Sequence, residues 1–314
     1  MSTDIAKKQH YVWRKYLASW KNDPNDKDIW TALLQQNKVQ KIGLMDVAQS
    51  SYFYKFEELS SDEIRFLRNY SCDLSEQVKR LADTIIFAYE IFAQLKRKNV
   101  AGEMPKDVNF EHDVKKAEVN SFENIQSKIE KMGQKLIGCQ SIKEIEELAE
   151  ENEIDFLCFI WVQYLRTRAM KSNVVKSLSG KQHLETIAEK CWPFFNFVVA
   201  MQMVECMLQR NDYHFIFVKN NGNVPFITGD QPVINTKSGI TDDRGFVKEL
   251  ELYYPLSPKR ALVIDFISGE KFSEIDIDDE YACQHNKMIY GESQIHVFAN
   301  EENVLKEIMA HNEA

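Results

Sequence analysis

Over the first two thirds of the chain apolar residues recur every three or four positions; over the last third they cluster in short β-like runs. Val12, Tyr16 and Trp20, with Trp13 and Leu17 beside them, predict an amphipathic helix over 7–20. Asn22-Asp23-Pro24-Asn25-Asp26 ends it with turn chemistry. Residues 29–34 read as a short helix or a strand, and 50–54 as a packed aromatic stretch. Ser60 or Ser61, followed by Asp62 and Glu63, starts a helix. Its seam is Ile64, Leu67, Ser71, Leu74, Val78, Leu81, Ile85, Ala88, Phe92 and Leu95, a heptad pattern with one polar exception. Lys96-Arg97-Lys98 suits the negative end of that helix. A connection over 99–105, carrying Gly102 and Pro105, leads to a second seam of Phe122, Ile125, Ile129, Met132, Leu136 and Cys139. Two such helices on a short connection predict an antiparallel helical hairpin over 62–139. Its Lys/Glu-rich surface reads as a solvated face.

A short helix is expected over 141–149, an apolar helix turning basic over 155–170, an interruption at Gly180, and a long buried helix over 185–209. Strands follow over 214–218, 226–228, 233–235, 250–254 and 261–266, separated by turn signals such as Asn220-Asn221-Gly222-Asn223. Helices over 278–289 and 301–309 flank a last strand over 294–298. Short turns between neighbouring strands favour an antiparallel meander. The fold class is α+β, with an N-terminal helical region and a C-terminal, mostly antiparallel sheet with flanking helices. We read one domain over 1–314, with a helical part over 1–211 and a sheet-containing part over 212–314.

Composition narrows the function classes. With 314 residues and 44% apolar content the chain can bury a sizeable core. A net charge of −9 argues against bulk, sequence-blind nucleic-acid binding, while leaving room for a local basic groove. Six cysteines without a Cys-x-x-Cys pair, several inside apolar runs, read as reduced thiols. The N-terminus lacks the apolar segment of a signal peptide, and no apolar run is long enough to span a bilayer. A cytoplasmic protein with no membrane partner is the expectation.

No phosphate-binding glycine loop, His-Glu-x-x-His or Gly-x-Ser-x-Gly is present. Arg210-Asn211-Asp212-Tyr213-His214 approaches the Arg…His signature of helical ribonucleases of the higher-eukaryote-and-prokaryote nucleotide-binding type, one intervening residue short. Polar residues in apolar settings remain: Gln9-His10-Tyr11, then Gln163, Arg166 and Thr167, then Thr228 and Asp230, then His285-Asn286. In these segments the chain resembles the domain of unknown function 4238 family. Lys8-Gln9-His10-Tyr11-Val12 with Tyr16-Leu17 and Trp20 is similar to its N-terminal signature. Gln163-x-x-Arg166-Thr167, Phe226-Ile227-Thr228-Gly229-Asp230-Gln231-Pro232-Val233, Tyr254-Pro255-Leu256-Ser257-Pro258 and the late Asn286 follow in the family's order. Trp13 stands where the family has proline, Gly229 where it has serine and Gln231 where it has asparagine. The resemblance implies a bacterial accessory protein, with phage defence among the settings of such proteins.

Each of these side chains has two readings. Asp230, at a strand end, is a general base or a ligand for a divalent metal, or it accepts backbone N–H groups in a turn. His10 is an acid/base group or a packed histidine. Arg166 clamps a phosphate or carboxylate, or forms a buried ion pair with Asp230 or a helix C-terminal charge. Asn286 orients a ligand or bridges loops, His285 reads as surface, and Thr228 as a strand residue. Gln163, Thr228 and Asn286 would line a binding pocket whose reactive groups are His10, Arg166 and Asp230. The leading function is a hydrolase of nuclease or phosphoester type, an antiviral or toxin-like effector acting on nucleic acid or nucleotide, with a divalent metal as the candidate cofactor. The alternatives are a sensor module that holds a protein partner through the hairpin, and a nucleotide-binding protein without turnover.

Overall fold

In the computed structural model, which describes residues 5–103, 108–266 and 269–312, the chain opens on a strand, β1 (Lys8–His10). The helix expected over 7–20 is reduced to α1 (Arg14–Leu17) and a 3-10 turn at Ala18–Trp20. Trp13 precedes it in extended backbone, with φ −67° and ψ 125°. That φ is the value a proline would impose. The apolar spacing still does its work, because Tyr11, Val12, Tyr16, Leu17 and Trp20 are all buried.

β2 (Asp28–Leu33) settles the ambiguous segment as strand and pairs with β3 (Lys38–Gly43) across a turn where Asn37 is left-handed. β4 (Gln49–Ser51) pairs antiparallel with β1. The N-terminal part thus supplies four strands, and the helical region begins at α2 (Ser61–Ser71). Ser60 and Glu63 form a reciprocal capping box there. The expected continuous helix is interrupted after Ser71, its one polar seam position. Ser75 then caps α3 (Glu76–Val100), its Oγ accepting the Val78 N–H. α4 (Val108–Gly138) is the other arm of the hairpin; Pro105 of the expected connection lies outside the described residues, as do residues 1–4.

α5 (Ile142–Glu151) leads to the apolar α6 (Glu153–Leu165). The helix expected to run on to 170 stops at Arg166, because Thr167 is the N-cap of α7 (Arg168–Ser177) and accepts the Met170 N–H. The helix expected over 185–209 is also two, α8 (Gln182–Lys190) and α9 (Trp192–Arg210), bent by 84°. Pro193 sits in the first turn of α9, where its missing N–H costs nothing. Among the described residues no single helix is long and apolar enough to cross a membrane; the bent α8–α9 pair passes on composition, and α9 lies in the core.

β5 (His214–Asn220), β6 (Thr228–Gly229), β7 (Ile234–Asn235), β8 (Leu252–Ser257) and β9 (Arg260–Asp265) come next, then β10 (Phe272–Ile277), α10 (Asp279–Glu292), β11 (His296–Ala299) and α11 (Glu302–Asn312). They do not form one meander. One sheet runs β10-β5-β9-β8-β7, antiparallel except for the parallel pair β10–β5. The other runs β3-β2-β11-β6, joining strands from both ends of the chain. The fold is α+β. All six cysteines are free thiols.

The contact between α4 and α6 depends on a glycine. A Cβ on Gly133 of α4 would collide with Phe159 of α6 and press on Trp13. Glycine therefore lets α4 lie directly on α6, one turn from Glu130.

Candidate functional site

The strand-end residues build one polar cluster. Asp230 follows β6 and is 1% exposed. Its Oδ1 accepts the Gln294 N–H at 2.9 Å, and its Oδ2 those of Ile295 and His296 at 2.9 and 3.3 Å. Burial lifts its carboxyl to about 6, against the pull of those N–H groups toward the charged form. Asn286 of α10 accepts the Ile227 N–H at 2.9 Å and donates to the Pro225 carbonyl at 2.9 Å. The Trp20 indole donates to the Phe226 carbonyl at 2.8 Å. Tyr16 gives its only proton to the Pro255 carbonyl, so Thr228 donates to the Tyr16 hydroxyl at 2.6 Å. The side chains thus act as backbone for a segment whose own ladder is two residues long.

Gly229 and Gln231 each fill a local requirement. A Cβ on Gly229 would fall onto the Ser293 hydroxyl, which donates to the Ile289 carbonyl. Ser293 thus occupies the space that a side chain at 229 would need. Gln231 reaches the Tyr164 and Val233 carbonyls with its amide at 3.0 and 2.7 Å and accepts from Thr167. The longer amide ties the strand end to the break between α6 and α7.

Arg166, at that break, centres the second cluster. Its ion pair is with Glu130 of α4 at 2.8 Å and not with Asp230, the acidic partner that one of the sequence readings offered. Its Nε donates to the Tyr11 carbonyl at 3.0 Å and its Nη1 to Gln126 Oε1 at 2.9 Å. Nη2 is buried and has no partner. Neither do the buried Nε2 of Gln126, Nε2 of Gln163, hydroxyls of Tyr54 and Tyr254, Oε2 of Glu123 and Nε2 of His10. The Arg166 charge acts on His10, Tyr54, Glu123 and Tyr254, which places them around the same guanidinium. Gln163 lies one helical turn before Arg166. Gln9 ties β1 into this region, donating to the Val119 carbonyl at 2.8 Å and accepting the Tyr54 N–H at 2.6 Å.

Two titratable groups here are driven in opposite directions. Burial pushes the Glu123 carboxyl up to about 7; Glu130 adds to this and Arg166 opposes it. Burial pushes His10 down to about 4, helped by Arg14 and Arg166 and opposed by a backbone hydrogen bond with Leu44. Near neutral pH the carboxyl is therefore able to hold a proton that an ordinary glutamate has lost, and the imidazole is neutral.

The geometry divides the sequence candidates. His10 and Arg166 belong to the cluster with unpartnered groups, and Gln163, one helical turn from Arg166, has an unpartnered amide of its own. Thr228, Asp230 and Asn286 belong to the strand-end cluster. The Tyr11 ring, which feels the Asp230 charge, and the Thr167–Gln231 contact lie between the two. Both Asp230 oxygens already hold backbone N–H groups, and among the described residues no group of three His, Cys, Asp or Glu side chains is arranged to hold a metal. His285, expected at the surface, is buried, stacked on Tyr281, and bonded through Nδ1 to the Tyr281 carbonyl at 3.0 Å. Glu123, Gln126 and Glu130 were missed because the charge of α4 reads as a solvated face. Their signal was a polar stripe at 123, 126 and 130 that continues to Gly133 with spacing 3-4-3, one residue off the apolar seam.

The sequence profile of the family of proteins of unknown function DUF4238 matches residues 8–303, and the chain belongs to that family. Comparisons with curated proteins and with solved structures find no match.

Proposed function

We propose that this chain is a hydrolase of phosphoester type whose site is the Arg166 cluster. One observation carries the reading: around a single buried guanidinium, Nη2, two primary amides and two phenol hydroxyls lack acceptors. Buried donors in this density call for an acceptor-rich group, and a phosphate supplies one. Glu123, held near neutrality, donates a proton to the leaving oxygen. His10, held neutral with Nε2 unpartnered, accepts one from the attacking water. Arg166 clamps the anion through Nη2 while Glu130 fixes its other edge. Asp230, Thr228 and Asn286 act as the frame that holds the α6–α7 break beside the site.

The test is calorimetry of the full chain with inorganic phosphate and nucleoside phosphates, together with turnover of bis-p-nitrophenyl phosphate and of single-stranded nucleic acid. We expect binding in the wild type, and loss of at least a hundredfold in turnover in Glu123→Gln and His10→Gln with binding retained. Turnover that survives both substitutions removes the proposal, and binding without turnover in the wild type leaves a nucleotide-binding protein. The phage-defence setting is read from plating efficiency with the wild type against Glu123→Gln.

A further inference from the structure

The end of α3, the start of α4 and the turn after β4 enclose a half-open cavity of about 430 Å³, within the size range of small-molecule sites. Leu95 of α3 and Val114 and Val119 of α4 give it an apolar lining, and Tyr52 and Phe110 add one ring each from separate segments. Tyr52 stands in left-handed backbone at φ 55°, uncommon for a bulky side chain, and such conformations gather at ligand sites. The Phe110 ring, 36% exposed, is left partly in water at the wall.

The charges on the lining say what kind of occupant fits. Lys55, Lys96 and Lys115 line the cavity with Glu111 and Glu118, three ammonium groups against two carboxylates. Glu118 is buried and Lys96 closes on it, Nζ to Oε1 at 2.5 Å. Glu111 is fully at the surface of α4, where solvent screens its charge. Among the described residues neither Lys55 nor Lys115 forms an ion pair or a side-chain hydrogen bond. Lys55 is moreover half-buried, and a cation withdrawn from water gains from a counter-charge. The chain as a whole carries −9, so this uncompensated positive charge is a property of the cavity and not of the surface at large. One negative charge balances the lining, and a flat apolar body suits the rings and aliphatic side chains beside it.

We infer that this cavity binds a compact aromatic monoanion, its carboxylate on Lys55 and Lys115 and its ring against Tyr52 and Phe110. The site shares α4 with the Arg166 cluster but none of that cluster's charged groups, and it stands independently of the proposed hydrolysis.

The experiment is titration calorimetry of the full chain with 2-naphthoate and with 2-naphthalenemethanol, which keep one ring system and differ in charge. 2-Naphthoate should bind at one site per chain, about tenfold more tightly than the alcohol. Lys55→Met keeps the aliphatic stem and removes the charge; it should erase that preference and leave the alcohol's affinity unchanged. Val114→Trp fills the space from α4 and should abolish binding of 2-naphthoate; Asn99→Trp narrows it from the exposed end of α3 should the first variant not fold. No binding of 2-naphthoate to the wild type overturns the proposal, as does equal affinity for the two probes. Binding that survives cavity filling unchanged also overturns it, since the probe then sits elsewhere. A preference that survives Lys55→Met overturns the role of the lysine.

Discussion

The two polar clusters are built from the same kinds of residues and treat them in opposite ways. Around Asp230 both carboxylate oxygens are taken, holding three backbone N–H groups, and Asn286 closes both ends of its amide on the segment before β6, which leaves His296 Nδ1 as the unpartnered atom beside them. Around Arg166 the guanidinium is anchored through Nε and Nη1 and bare at Nη2. Burial alone does not separate the clusters, because Asp230 and Arg166 are both inaccessible. Satisfaction does. A closed network defines a backbone path, whereas an open network of donors waits for something the protein does not contain.

The largest expected effect lies on the closed side. Asp230→Ala strips the Gln294, Ile295 and His296 N–H groups of their acceptor and should cost about 3–5 kcal/mol, the lower part of roughly 1–3 kcal/mol per unpaired group because these three residues are half-buried. Asn286→Ala orphans one donor and one acceptor and should cost about 2 kcal/mol. Urea unfolding measures both. The comparison breaks if Asp230→Ala retains full stability and loses only phosphate binding, for the residue would then belong to the open cluster.

Much of the frame was legible in the chain, and the reason is periodicity. The seam residues Leu67, Val78 and Ile85 are buried as their spacing requires, and β5 and β9 lie where the β-like runs put them. What escaped was interruption and partnership. Arg166 reads as the basic end of a continuing helix, yet Thr167 caps a new one, because a hydroxyl that accepts an N–H three residues on competes with helix continuation. β11 pairs with β2, more than 250 residues earlier in the chain, and no local pattern encodes that choice. Glu123 and Glu130 look like any solvated acid until Gly133 brings α4 onto α6 and turns their face toward Arg166.

A smaller effect tests the fit inside the closed cluster. Gly229→Ala should cost about 1–3 kcal/mol, since the new methyl meets Ser293 and a well-packed site yields little. Ser293→Ala in the same chain should return at least half of that loss, a coupling on the order of 1 kcal/mol in a double-mutant cycle. Additive costs would mean that the close approach is not what restricts position 229.

The smallest change in stability carries the sharpest contrast. The folded carboxyl of Glu123 titrates at about 7 against an ordinary 4.5, so its favourable contribution is complete below about 4.5 and is lost as pH rises through 7. His10 runs the other way: lowered from 6.5 to about 4, it contributes fully above 6.5, and that contribution is lost as pH falls through 4. Glu123→Gln removes the first dependence and keeps the second. The variant should match the wild type at pH 4.5 and exceed it at pH 9 by on the order of 1 kcal/mol, allowing for the partial exposure of the group. Urea midpoints at the two pH values decide it. A residue that is worth more to the fold when replaced, and whose loss abolishes turnover, is held in place by the site rather than by the structure. A pH-independent difference would show that Glu123 does not feel the burial assigned to it.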